Sequence, residues 1–190
     1  MRKILFGMLF LLAAGAAQAR VLEGRIIEVL DGDTVTVLSN GTSTHRIRLL
    51  GIDAPERGQP HGDLAREHLR RLVRGKAVRV EWERMDDYGR IVGVLLISEG
   101  AQRCSGDHCV RFDPAISMLR EGHAWQDRPV GDSVPADLRA RYAQAEKEAR
   151  SRKIGLWRES DLIPPWEWRT RQRLGILDEV PGRTSVSHSR

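Results

Sequence analysis

Residues 34–50 read TVTVLSNGTSTHRIRLL. Val35 and Val37 alternate with Thr36, the period-two pattern of a strand over Thr34–Leu38. Asn40-Gly41 then sets side by side two residues that accept positive φ, the strongest short hairpin signal. The return strand runs over His45–Leu50, with Ile47 and Leu49 on one face and Arg46 and Arg48 on the other.

Outward from this hairpin the pattern stays mostly β up to residue 96. Arg25–Leu30 predicts a strand before it. A helix over Asp63–Arg74 follows it, with Leu64, Ala65, His68, Leu69, Leu72 and Val73 as the apolar stripe and Gly75 as the stop. Ala77–Trp82 alternates Val78, Val80 and Trp82 as a fourth strand, and Arg90–Leu96 is the fifth. Asp113-Pro114 is an N-cap and first-turn pair for a short helix ended by Gly122. Pro135 to about Lys153 is the longest helix, closed by Gly155. Five strands with a helix inserted after the third predict a mainly β chain: a closed five-stranded Greek-key barrel of the OB type, with three α-helices. Residues 158–174, which contain Trp and Pro, are expected to pack back on a domain of residues 20–157. From about Val180 to Arg190 the composition predicts disorder.

The 190 residues are 41% hydrophobic and 30% charged, a globular composition that excludes a low-complexity or disordered chain. The net charge of +5 is compatible with a polyanionic partner without requiring one, because most of the basic residues are Arg, a bias that genome composition alone can produce. Two cysteines exclude a disulfide-dense scaffold and a four-cysteine zinc site.

Arg2 and Lys3, the uncharged run Ile4–Ala17 and the small-x-small Ala17-Gln18-Ala19 predict a secretory signal peptide over residues 1–19, cut after Ala19. An uncleaved anchor is the rival, but the run falls short of the roughly 20 residues that a membrane span needs. The mature chain is expected outside the cytoplasm, in the periplasm or the medium, free of the membrane. No oligomerisation signal is present, which predicts a monomer.

Three segments concentrate chemistry: Asp31-Gly32-Asp33-Thr34 between strands one and two, Arg48 through Glu56 leaving the hairpin, and the turn Asp86-Asp87-Tyr88-Gly89-Arg90. Each alone has an ordinary reading as turn or loop. The first is no EF-hand loop, because Val35 and Thr36 stand where a ligand and a glycine are needed. Asp33 and Asp53 remain as two carboxylates at strand ends on either side of one hairpin, able to converge on one hard cation.

Taken together and in this order, DGDT, R-x4-D-x-P-E and D-x-YGR closely resemble the staphylococcal nuclease (thermonuclease) family, from about Glu23 to Trp157. The resemblance implies one calcium ion, ligated by Asp33, Asp53 and the main-chain carbonyl of Ala54. Threonine stands at the Ala54 position in the best-known member, and a backbone ligand tolerates the change. It implies that Glu56 acts through water, that Arg48 and Arg90 grip the scissile phosphate, and that Asp31 lies just behind the metal ligands. Asp86, Tyr88 and Trp125 are the accompanying candidates for supporting the site or holding substrate. The implied reaction cleaves DNA and RNA, with single-stranded or unpaired segments favoured, leaving 3′-phosphate and 5′-hydroxyl ends.

That chemistry suits these residue types. Calcium neutralises the phosphodiester and acts as a Lewis acid. Two guanidiniums stabilise charge on the equatorial oxygens, and a carboxylate activates water as general base. Arg48 and Arg90 are assigned to electrostatics, since an arginine is too weak an acid to give up a proton. Two direct carboxylates predict weak binding, around 10⁻⁴–10⁻³ M, which an exported protein can accept.

Departures from the family pattern concern the nucleotide. Asp87 replaces a lysine, while Tyr88 is kept. The usual tyrosine pair after His123-Ala124-Trp125 is missing, so Trp125 is read either as a stacking platform or as core. Cys104 and Cys109 are expected to form a disulfide, with a metal site involving His108 and Asp107 as the rival. His68 reads as a satisfied core histidine, with ligation as the alternative. Arg66, Arg70, Arg71, Arg74, Lys76 and Arg79 read as a solvated face or a secondary nucleic-acid track. Against the nuclease stand an inactive nucleic-acid-binding module of the same descent and a nonenzymatic interaction domain. The trio Arg48, Glu56 and Arg90 speaks for the enzyme, since a retired one is expected to lose at least one member.

Overall fold

The hairpin of residues 34–50 forms as β2 (Thr34–Ser39) and β3 (Ser43–Leu49), turning through Asn40 and Gly41, both at positive φ. The computed structural model describes residues 20–98, 111–127 and 134–176. Before the hairpin lies β1 (Arg20–Val29). After it come β4 (Ile52–Asp53), α1 (Gly62–Val73), β5 (Ala77–Met85), β6 (Ile91–Ser98) and β7 (Arg111–Phe112). Next are α2 (Pro114–Arg120), β8 (Trp125–Gln126), α3 (Ala136–Ser151), a 3₁₀ turn (Gly155–Arg158) and α4 (Pro165–Leu174).

The main sheet runs β3-β2-β1-β5-β6-β7, and β3 pairs again with β6 in parallel, Ile47 opposite Ile91 and Leu49 opposite Gly93. β1, β2, β3, β5 and β6 therefore form a closed ring of pairings, the OB-like arrangement expected from the five alternating segments. Alternate residues point inward. Ile26, Val35, Val37, Ile47, Val80 and Ile97 have no accessible surface. Each such side chain contributes about 1.5–3 kcal/mol of hydrophobic stabilisation.

Three features differ from the sequence reading. β1 begins at Arg20, five residues before the expected Arg25, because Arg20–Arg25 pairs with β5 from Trp82 to Ala77. Four α-helices form among the described residues, not three. The fourth, α4, takes Pro165 in its first turn, where a fixed φ suits it, and stops at Gly175 with φ 71°. On α1, Leu64 is 60% exposed, while Ala65, His68, Leu69 and Val73 are buried. One residue turns a helix by about 100°, which carries Leu64 off the stripe centred near Ala65. Among the described residues no helix is long and apolar enough to cross a membrane. Residues 1–19, Cys104, Cys109 and the tail from Val180 lie outside the described residues.

α2 starts as expected. Asp113 Oδ1 accepts from the Ala115 N–H at 2.8 Å, and Tyr142 Oη of α3 donates to Asp113 Oδ2 at 2.6 Å. Burial pushes this carboxyl up to about 6, against the hydrogen bonds from Tyr142 and Ala115. Because the folded value lies above the ordinary 3.8, the folded chain favours the protonated acid. The contribution to stability is therefore fully present below about pH 4 and lost as pH rises to about 6. Asp113→Asn, which keeps the cap, should remove that loss. Urea unfolding at pH 4 and pH 7 should show the wild type losing about 2 kcal/mol more than the variant. Equal pH profiles would refute the assignment.

α1 meets the turn after α2 through two histidines. His68 and His123 stack with ring centroids 4.2 Å apart. Burial lowers His68, outweighing the pull of Glu121, with Arg71 adding to the fall. Burial, His68 and Arg71 push His123 down to about 4. Both imidazoles are neutral at physiological pH. His68 is buried as expected, but it is not satisfied: its Nε2 has no hydrogen-bond partner.

Candidate active site

The hairpin register sets the site. Thr34 lies opposite Arg48, so Asp33, one residue earlier, sits beside the arginine that leaves β3 for β4. Arg48 Nη1 donates to both oxygens of Asp33 at 2.9 Å, and Nη2 donates to Asp53 Oδ1 at 3.0 Å. Asp33 and Asp53 are 4% and 1% exposed. Asp33 also accepts from Thr34 Oγ1 at 2.9 Å and from the Ala54 N–H at 3.1 Å. Burial opposes the charge on Arg48, but Asp33 and Asp53 outweigh it and hold the guanidinium above its ordinary range. Gly32 lets this turn lie flat, since a Cβ there would come within 2.6 Å of Ala54 Cβ and 2.8 Å of Ala65 Cβ.

Glu56 is held by its backbone and by α4. Its N–H donates to Gln59 Oε1 at 2.9 Å, and Gln59 Nε2 donates to the Ile163 carbonyl at 2.6 Å. A Cβ at Gly62 would collide with the Glu56 carbonyl, so the first residue of α1 packs directly on this loop. Arg169 of α4 joins the carboxylates. Its Nη1 donates to Glu56 Oε1 at 2.6 Å and Asp53 Oδ1 at 3.1 Å, and its Nη2 to Asp53 Oδ2 at 2.8 Å. His61 and Glu159 pair at 3.0 Å nearby. The segment after residue 157 thus reaches the Glu56 loop at three points. The sequence reading gave Arg169 no role, although it expected residues 158–174 to pack back on the domain. It also passed over Asp127, whose carboxyl is raised by burial and Asp53 against the pull of Arg48 and Arg169.

The DYGR turn supplies the third arginine. Asp86 Oδ1 accepts the Tyr88 and Arg90 N–H groups at 3.0 and 2.9 Å, while Oδ2 accepts Arg90 Nε at 2.7 Å. Gly89 closes the turn at φ 71°. Asp86 therefore aims Arg90, whose guanidinium also lies 5.5 Å from the Tyr88 ring centroid. Arg48, Asp86, Tyr88, Arg90, Asp127 and Arg169 share one open cleft of about 260 Å³. A larger hollow of about 640 Å³, bordered by Glu23, Arg25, Asn40 and Arg79, contains none of these residues.

Of the two readings of Trp125, stacking platform or core, its burial favours core. It is 4% exposed, its backbone pairs with Asp53, and Trp157 and Trp166 meet it edge-on. A base cannot reach its face. Tyr88, 76% exposed at the cleft, is the aromatic ring open to stacking.

The donors fit a hard divalent cation. Asp33 and Asp53 offer carboxylate oxygens, gathered around the Arg48 guanidinium and kept from water. Asp31, Asp33, Asp53, Glu56 and Asp127 outnumber Arg48 and Arg169, so the cluster holds surplus negative charge. Burial, with the neighbouring Asp33 adding to it, pushes Asp31 up to about 7.

Residues 46–159 match a family model described as staphylococcal nuclease homologue. A micrococcal nuclease of Shigella flexneri is 40% identical over 146 residues, covering 77% of this chain and 79% of that protein. An uncharacterized endonuclease of Escherichia coli is 36% identical over 152 residues, 80% of this chain and 87% of its own length. An uncharacterized endonuclease of Haemophilus influenzae is 29% identical over 178 residues, 92% and 89% of the two chains.

Proposed function

The chain belongs to the staphylococcal nuclease homologue family, and from that premise we propose that it is an exported, calcium-dependent nuclease cleaving DNA and RNA to 3′-phosphate and 5′-hydroxyl ends. The observation that carries this reading is the Arg48 guanidinium lying between Asp33 and Asp53, with Glu56 joined to the same cluster through Arg169. A nuclease of this family is a phosphodiesterase hydrolase acting on nucleic acid, and the family is metal-dependent.

Asp33, Asp53 and the Ala54 carbonyl would hold calcium, which when bound supplies Lewis-acid polarisation of the phosphoryl group. Arg48 and Arg90 approach the scissile phosphate from β3 and from the DYGR turn. Each offers a planar fork to oxygens whose charge grows in the transition state. Asp86 keeps Arg90 in that orientation. Glu56 orients and deprotonates the attacking water. Tyr88 stacks on a base, which favours unpaired segments. The signal predicted over residues 1–19 and the disulfide expected between Cys104 and Cys109 fit export, and the protein acts as a monomer.

The test incubates the mature protein with single-stranded DNA and with RNA, with calcium and with a chelator. Calcium-dependent cleavage leaving 5′-hydroxyl ends supports the proposal. Chelator-insensitive cleavage or 5′-phosphate ends would sink it. Salt-sensitive retention of DNA without cleavage would favour the binding module.

Arg169 holds the carboxylates that calcium would use, so the two cations compete. Arg169→Ala should lower the melting temperature of the calcium-free protein. It should also reduce the calcium concentration giving half-maximal activity about tenfold, the equivalent of one charge-assisted hydrogen bond. A raised calcium requirement would show instead that Arg169 supports the ligands.

A further inference from the structure

Away from the carboxylate cradle, α1 and the turn after α2 bring His68, Glu121 and His123 together, with one donor atom of each within 4.8 Å of the others. His68 is 8% exposed, and its Nε2 is shielded from solvent without a hydrogen bond. Glu121 Oε2 stands 3.5 Å from that nitrogen, long for a hydrogen bond. It is close to the roughly 3.3 Å that separates two ligands bonded at about 2.0–2.1 Å to one tetrahedral ion.

We propose that His68, Glu121 and His123 form a second metal site, distinct from the cradle, that takes a borderline transition-metal ion, Zn²⁺ first among them. Two imidazoles and one carboxylate suit zinc, whereas calcium prefers an all-oxygen shell. Three protein ligands leave a fourth position for water. Glu121 is exposed, so the ion has an entry path, and the buried His68 fixes the inner end of the site. The two rings stack 20° from parallel. Drawing the donor atoms, now within 4.8 Å of one another, onto one ion would move His123, the less buried of the two rings. The ion would clamp α1 to the segment leading into β8, whose Trp125 pairs with Asp53. Its role is therefore structural support for the strand beside the cradle.

The mature protein in excess calcium is titrated with Zn²⁺ by calorimetry and with Co²⁺ by visible absorption. One Zn²⁺ per chain, a raised melting temperature and the d–d bands of four-coordinate cobalt are expected. Glu121→Gln changes an exposed side chain and should fold normally, yet weaken zinc by about 100-fold or more, as loss of a ligand exceeds the roughly 10–100-fold effects of its supporting partners. His123→Asn should abolish binding, and Asp53→Asn should leave it unchanged. Absence of zinc binding overturns the proposal. So does wild-type affinity in both Glu121→Gln and His123→Asn, or loss of zinc in Asp53→Asn, which places the ion in the cradle.

Discussion

Glu56→Gln is expected to lower kcat by about 10³-fold at saturating calcium, with KM nearly unchanged. Gln is the same size as Glu and can still receive Arg169, but it cannot take a proton from water. The loop should keep its shape, because the Glu56 N–H stays on Gln59 and the Gln amide oxygen can still accept from Arg169. Single-turnover cleavage of a labelled single strand, with circular dichroism to confirm the fold, reads the effect. More than about one tenth of wild-type turnover would mean that another group activates the water.

Arg48→Met should cost both stability and catalysis. The side chain has about the length of the stem it replaces, so packing is largely kept. What is lost is the partner of two carboxylates that water scarcely reaches. Removing one member of a buried ion pair typically costs about 3–5 kcal/mol, because the remaining charge is stranded. Asp33 keeps Thr34 and Ala54, and Asp53 keeps Arg169, so about 3 kcal/mol is expected without calcium. Calcium should restore part of it. Turnover should fall by about 10²–10³-fold even when the protein is folded and calcium-saturated, the typical cost of one transition-state donor. Arg48→Lys separates the two effects. A point charge recovers much of the stability, but not the fork that grips two oxygens. Full activity in Arg48→Lys would show that charge alone suffices.

The barrel was readable where side chains alternate over five residues or more. Val35, Val37, Ile47 and Leu49 identify their strands and inward faces, and the register of that hairpin brings Asp33 to Arg48. The two-residue strands β4 and β8 are too short to carry any period, so nothing local shows that Trp125 pairs with Asp53 and is buried. A tryptophan beside an active site looks the same in sequence whether its face is open or covered. Arg169 is 113 residues from Glu56, and its helix carries arginines on several sides. Which of them turns inward depends on how Pro164, Trp168 and the Gln59–Ile163 bond seat α4. Leu64 shows the same limit from the other direction, an apolar residue that the docking angle of its helix leaves in water.

The parallel seam between β3 and β6 links durability to activity. Arg48 stands on β3 opposite Val92, and Arg90 immediately precedes β6. The same few hydrogen bonds that shut the barrel therefore fix the distance between the two arginines. Partial opening of the ring separates them, so no loosened form of the barrel retains a working pair. Amides along the seam should exchange only through global unfolding, and denaturant should end cleavage and secondary structure in a single transition.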